Sequence, residues 1–512
     1  MTAIELDGHG LALEGWLRVV RDGAPLIFSA AARQRIADGH ALLLARAEAG
    51  EAIYGVTTGL GAAVDVRLPL DDGQVQRRIP LGRAVGVGRL ASVEEVRAIF
   101  CSRLAGLAQG RSGISPATAD GLLSLLDAGI YPEVPLTGSI GESDLAPLAH
   151  LSLALLGEGW VTWRGERLPA AEALSRNGLE PVWLTGKDGL ALVSANAVSI
   201  GLGALLVAEA ERALETLLAA LALSCEGYRA NLSPFQPWAA RLRPAAGQAE
   251  ASAALLDLLA AGELNEVGAA RRLQDPLSFR CATVVQGAAL QAWQQLRDTV
   301  ALELASGADN PALIIEDQSV LANANFDSTH LALAGEGLGL AFSRLAACSA
   351  ERMAKLLSPG SSELPRFLIE QPGHVGLAAL QRTASALVAK IGHLANPLPA
   401  VSIAVADRVE DYAGQALAVI EKTRELTQHL TTLAAIELMV AAQAVDLRGP
   451  LRLGEGSAGI YRAVRSQVAR LDHDRPTAWD VEALLGLIET RGISPIPPPA
   501  RRSPPDADRS GP

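Results

Sequence analysis

Gly138-Ser139-Ile140-Gly141-Glu142-Ser143-Asp144-Leu145-Ala146-Pro147-Leu148-Ala149-His150 is the stretch whose reading decides the fold. It places two acidic residues beside a glycine, immediately before an apolar run. Four further blocks of the same character lie outward from it. Tyr54-Gly55-Val56-Thr57-Thr58-Gly59-Leu60-Gly61 precedes it, and Gln274-Asp275-Pro276-Leu277-Ser278-Phe279-Arg280-Cys281 follows. Asp309-Asn310-Pro311 with Asn323-Ala324-Asn325-Phe326, and then Glu410-Asp411-Tyr412, complete the set. Each block offers a side chain with chemistry in it. The glycines around the Tyr54 phenol let the backbone approach a ligand closely. The planar fork of Arg280 matches two carboxylate oxygens. Glu142 and Glu410 are carboxyls of the kind used for proton transfer.

Between these blocks the chain is helical in pattern. It has 512 residues, 49% apolar and only 4% aromatic, a balance that favours helix over sheet. Apolar residues at helical spacing run from Ile200 to Leu223, Gln286 to Ser306, His330 to Leu357 and Asp411 to Val445. Helices this long and apolar must pack on one another, so the expected fold is mainly α, a long-helix bundle with a smaller mixed N-terminal part. Residues 1–200 read as that mixed part, 201–490 as the bundle, and 491–512 as a disordered Pro-rich tail. Trp160 to Leu168 alternates like a hairpin, and Ser29 is placed to cap a helix.

A formal charge of −12 argues against nucleic acid or an anionic membrane as a main partner. Glu and Arg interrupt the apolar runs, as in Glu209-Ala210-Glu211-Arg212, which speaks against membrane spans. The start, Met1-Thr2-Ala3-Ile4-Glu5-Leu6-Asp7, has neither a basic region nor an apolar one, and a cytoplasmic protein is expected. The 4 cysteines lack ligand or disulfide spacing, so no metal is expected.

The five blocks, in this order and at this spacing over roughly residues 10 to 450, resemble the histidine/phenylalanine ammonia-lyase family. The Tyr54 block is similar to Tyr-Gly-Val-Asn-Thr-Gly-Phe-Gly, the Arg280 block to Gln-Asp-Pro-Tyr-Ser-Leu-Arg-Cys, and the Glu410 block to Glu-Asp-His. The opening stretch resembles Gly-Ser-Val-Gly-Ala-Ser-Gly-Asp-Leu-Ala-Pro-Leu-Ala-His. In the family its inner Ala-Ser-Gly cyclises and loses two waters, giving the electrophilic methylidene-imidazolone (MIO) group. Here Glu142 and Ser143 replace those three residues, and the loop is one residue short. Asp144 would have to play the cyclising Gly, with a Cβ that resists the turn. The expectation is a lyase scaffold with no MIO and no other cofactor.

The resemblance implies roles for individual residues. Tyr54 would be the base at the substrate's β-carbon, which requires neighbours that stabilise a phenolate. Arg280 would clamp the substrate carboxylate, Glu410 would act beside the amine, and Phe326 would wall the pocket. Gln274 and Asn196 fall within matching blocks as substrate-binding residues. Several positions depart from the family: Leu277 stands for its Tyr, Ser194 for the Asn beside the MIO, Arg83 for a substrate-selecting His, and Arg408-Val409 for Asn-Gln. A homotetramer whose sites are each built from three chains is also implied, as is a small carboxylate substrate.

Without the electrophile an α-ammonium departs poorly, and three readings stay open. The substrate carries its own leaving group, such as trimethylammonium; a MIO-free relative, ergothionase, expels trimethylamine from a betaine of thiol-histidine. Alternatively Glu142 is a general acid or base in an addition, cyclisation or isomerisation. In the third, the chain binds or scaffolds without chemistry; for Glu142 itself, a shortened loop that simply turns outward or pairs with an Arg is a further alternative.

Overall fold

The computed structural model describes residues 1–69, 73–399 and 403–493. The tail expected to be disordered lies, from residue 494 onward, outside them. The fold is mainly helical. The four apolar runs of the sequence form the helices Ala197–Tyr228, Ala282–Leu304, Thr329–Leu356 and Ala416–Arg448.

Two compact units emerge. One contains Met1–Ala208, Gln294–Gly337 and Pro397–Arg424; the other contains Glu209–Trp293, Leu338–Asn396 and Glu425–Pro512. They are interleaved along the chain, whereas the sequence division was consecutive. Four of the cuts fall inside the four long helices. Unbroken helical periodicity leaves no mark at such places.

The first unit holds the small sheets. Trp160–Trp163 pairs antiparallel with Glu166–Pro169, the expected hairpin, across Arg164 and Gly165, both at positive φ as its tight turn requires. Ser29 caps the Ala30–Glu48 helix, its hydroxyl accepting from the Ala32 N–H at 3.0 Å. Beneath the Asp309-Asn310-Pro311 turn lie two buried cations. Arg103 donates to both oxygens of Asp309, at 2.7 and 3.3 Å. Lys187 donates to the carbonyls of Ser112 (2.9 Å) and Pro311 (2.7 Å), and burial pulls its ammonium down to about 8.

The second unit is built around one buried ion pair. Arg352 Nε and Nη2 donate to the two oxygens of Glu437 at 2.6 and 2.8 Å. The Ser224 hydroxyl adds a bond of 2.8 Å to the same carboxylate. Arg352 Nη1 reaches the Ser278 carbonyl at 3.3 Å, in the short helix Leu277–Arg280. Three long helices and the segment bearing Arg280 are thereby tied together.

By length and composition, the described stretches Asp188–Tyr228, Thr329–Leu356 and Ala416–Arg448 are each able to cross a membrane. Their most apolar windows are 100%, 50% and 78% buried inside the protein, so packing accounts for most of that apolarity.

Removing one partner of the buried pair strands a charge, so Arg352→Met is expected to destabilise the protein by about 3–5 kcal/mol. Arg352→Met combined with Glu437→Leu should restore much of that loss. Urea unfolding of the two variants checks the pair.

Candidate active site

A cavity of about 770 Å³ opens in the first unit, lined among others by Tyr54, Arg83, Glu142, Ser194, Phe326 and Glu410. Six residues singled out from separate blocks of sequence therefore share one pocket. Asn196 and Arg408 sit beside it. The Asn196 side chain is buried and donates to the Phe326 carbonyl at 2.8 Å, strapping the backbone of the pocket wall. Arg408 belongs to a run, Ala406 to Arg408, held at φ of 51–70°, the left-handed region that non-glycine residues avoid. Gln274 and Arg280 lie in the second unit, where Arg280 Nη1 donates to Gln274 Oε1 at 2.7 Å.

The Tyr54 loop is fixed by close packing and by one buried side chain. Gly55 sits at φ +71°, where a Cβ would meet Leu190 and Leu60 at 2.6 and 2.7 Å. Gln76 Nε2 donates to the Gly55 carbonyl at 2.9 Å, and its Oε1 accepts from Gly189 N–H at 3.0 Å. That links the loop to the Asp188–Val193 helix, whose Leu190 lines the pocket. The Gly61 N–H points at the phenol oxygen from 2.8 Å. Arg83, at the end of the Gln74–Arg83 helix, feels the negative charge of Tyr54 and Glu410; burial outweighs both and lowers its pKa. A backbone donor and, through its charge, a guanidinium thus act on the Tyr54 phenol.

The shortened loop is held from three sides. Asp144 is fully buried. Its carboxylate accepts from the Ser199 N–H and hydroxyl, both at 2.8 Å, and from the Ser139 hydroxyl at 2.8 Å. Ser199 lies in the first turn of the Ala197–Tyr228 helix, where a carboxylate satisfies N–H groups left unpaired. Burial raises the Asp144 pKa and these bonds oppose the rise. The Asp144 N–H donates to the Ala195 carbonyl at 2.7 Å, and Ser143 sits at φ +64°. Gly141, at φ +91°, packs where a Cβ would come within 2.5 Å of Gln415 N.

MIO formation here would require the Asp144 nitrogen to attack the Glu142 carbonyl. These residues do not fit that reaction: the nitrogen is engaged elsewhere, and turning it would pull a buried carboxylate from its helix.

Glu142 points into the pocket instead. Its Oε1 accepts from Gly414 N–H at 3.2 Å. Burial, then the neighbouring charge of Asp327, with a smaller share from Glu410, pushes its pKa up to about 7. Asp327 is the site residue that sequence reasoning missed. It directly follows Phe326 in its block, and nothing but that adjacency marks it. Tyr412, given no role in the sequence reading, lines the pocket and bonds Thr329 Oγ1 at 2.7 Å.

Comparison with known proteins agrees with this architecture. The family model for aromatic amino acid lyase matches residues 11–466. A histidine ammonia-lyase of Anaeromyxobacter sp. (strain K) is 39% identical over 506 residues, covering 96% of this chain and 100% of that protein. Among solved structures, the ergothioneine-degrading enzyme ergothionase of Treponema denticola, in complex with desmethyl-ergothioneine sulfonic acid, superposes with a TM-score of 0.91 at 31% identity, covering 96% of this chain and 99% of that one. The histidine ammonia-lyase of Trypanosoma cruzi gives 0.89 at 28%, covering 96% and 94%. By the family match over most of its length and by these relatives, the chain belongs to the aromatic amino acid lyase family, whose histidine ammonia-lyases are carbon–nitrogen lyases.

Proposed function

We propose that this protein is a MIO-independent lyase that eliminates a leaving group already carried by a small amino-acid-like carboxylate. One observation carries the reading: Glu142 lines the pocket, on a loop whose Asp144 is committed to a helix terminus. The likeness to ergothionase, whose bound ligand is an ergothioneine derivative, supports it.

In the step, the Tyr54 phenolate takes the β-proton. The C–H electron pair becomes the Cα=Cβ bond, and the Cα–N bond breaks. A quaternary ammonium leaves as a neutral tertiary amine with the bonding pair, needing neither protonation nor an electrophile. The Gly61 N–H and the charge of Arg83 act on the phenol oxygen that takes the proton. Ionised Glu142 and Glu410 hold the cationic nitrogen in the ground state. That attraction aids binding; the rate comes from the leaving group and the positioned base.

Arg280 is the proposed carboxylate clamp, with Gln274 setting its orientation. Val267, Leu273 and Leu277 in the same segment are 108%, 88% and 61% exposed. Apolar side chains so exposed fit a segment covered by another copy, as in the homotetramer with shared sites inferred from the family resemblance. Ser194, Phe326, Asn196 and Arg408 complete the binding surface and its supports. A second reading, Glu142 as general acid in a cyclisation or isomerisation, draws on its pKa of about 7. It differs in that no amine is released.

Incubation with Nα-trimethylated amino acids, including ergothioneine, should release trimethylamine together with an α,β-unsaturated acid. Ammonia from histidine or phenylalanine, with no amine from any betaine, would overturn the proposal. Tyr54→Phe should lower kcat by about 10²–10⁴ while leaving substrate affinity nearly unchanged.

The pH dependence has a definite sign. Glu142 gains its charge as pH rises through about 7, so kcat/KM for a cationic substrate should rise over that range. Glu142→Gln should flatten the limb, as a pH–rate profile of both proteins will show.

A further inference from the structure

Glu142 and Asp327 face each other across an antiparallel bridge. The Ser143 N–H donates to the Phe326 carbonyl at 3.3 Å on one side, and the Ser328 hydroxyl to the Gly141 carbonyl at 2.7 Å on the other. In such a pairing, opposed side chains stand on the same face and at their closest. Two carboxyls held this way cannot both carry full charge cheaply, and sharing one proton relieves the repulsion.

The surrounding hydrogen bonds say which carboxyl holds it. Asp327 Oδ1 accepts from the Thr329 N–H at 2.9 Å, at the start of the Thr329–Leu356 helix, and Oδ2 accepts from the Thr329 hydroxyl at 3.2 Å. The Thr329 hydroxyl also lies 2.7 Å from the Tyr412 phenol, which donates to it whenever the hydroxyl donates to Asp327. Asp327 accepts at both oxygens, whereas Glu142 accepts at Oε1, which leaves Glu142 Oε2 as the place for the proton. The other ionisable groups lining the pocket are Glu410, Asp411, Arg83 and Tyr54. Asp144, two residues along, is turned to Ser199.

We infer that Asp327 is a positioning residue that holds the shared proton of a two-carboxyl pair on Glu142, and that Thr329 and Tyr412 extend the pair into a hydrogen-bonded chain with both ends on the pocket. The inference rests on the lyase reading for its purpose, though not for its geometry. A cation entering the pocket favours ionised Glu142 and expels that proton, so ligand binding and proton release are coupled in one step.

The test is a pH titration of the unliganded, full-length protein by infrared difference spectroscopy in the protonated-carboxyl region. Wild type should show a carboxyl titrating near pH 7, and Glu142→Gln should remove it. Asp327→Asn keeps an amide oxygen able to accept from the Thr329 N–H, yet it removes the facing charge. The Glu142 midpoint should then fall by about 1 to 3 pH units. An unchanged midpoint in Asp327→Asn, or no carboxyl titrating near neutrality in wild type, would overturn the inference. The spectrum reads the pair with no substrate, so failure of the lyase reading is scored separately, by amine release.

Discussion

The carboxylate of Asp144 at the start of the Ala197–Tyr228 helix is the constraint on which the rest of the site depends. Three hydrogen bonds, from the Ser199 backbone, the Ser199 hydroxyl and the Ser139 hydroxyl, fix where the loop must end. The pairing of residues 141–143 with 326–328 and the contact between Ile140 and Gln415 fix where it begins. A chain one residue short can span those anchors only by tightening, and Ser143 enters the left-handed region to do so. Glu142 and Ser143 are left lining the cavity, and of the two only Glu142 can bring a charge to it.

On the proposed function, a change in pocket chemistry follows from that displacement. An electrophile activates an amine by bonding to it, whereas a carboxylate attracts a cation and leaves its bonds alone. Glu142, Glu410 and Asp411 line the same cavity as Arg83 and Tyr54, and Asp327 stands directly against Glu142. Such a site suits a ligand with a cationic nitrogen that departs unaided. On the proposed function, the protein supplies the base and the geometry, and the substrate supplies the leaving group.

Much of this was legible in the sequence. The four long helices announced themselves by apolar residues at helical spacing, and the hairpin at Trp160 by alternation around Arg164-Gly165. Tyr54, Arg83, Glu142, Ser194, Phe326 and Glu410 could be brought together because each sits in a recognisable block. The unit boundaries were not legible, since a helix that passes from one unit to the next keeps its periodicity. Asp327 was invisible for another reason. Its role comes from a backbone bridge to a residue 185 positions earlier, and no local pattern records such a pairing. The same holds for Gln76, a polar residue in a helix until the structure shows it bonded to Gly55 and Gly189.

The intact mass of the purified protein, compared with the mass calculated from its sequence, tests the central claim most directly. A mass equal to that of the unmodified chain is expected, because Asp144 is held away from Glu142 and no ring forms. A mass short by two waters would mean that the loop cyclises despite those bonds, and would contradict the reading of Glu142 as the electrophile's replacement.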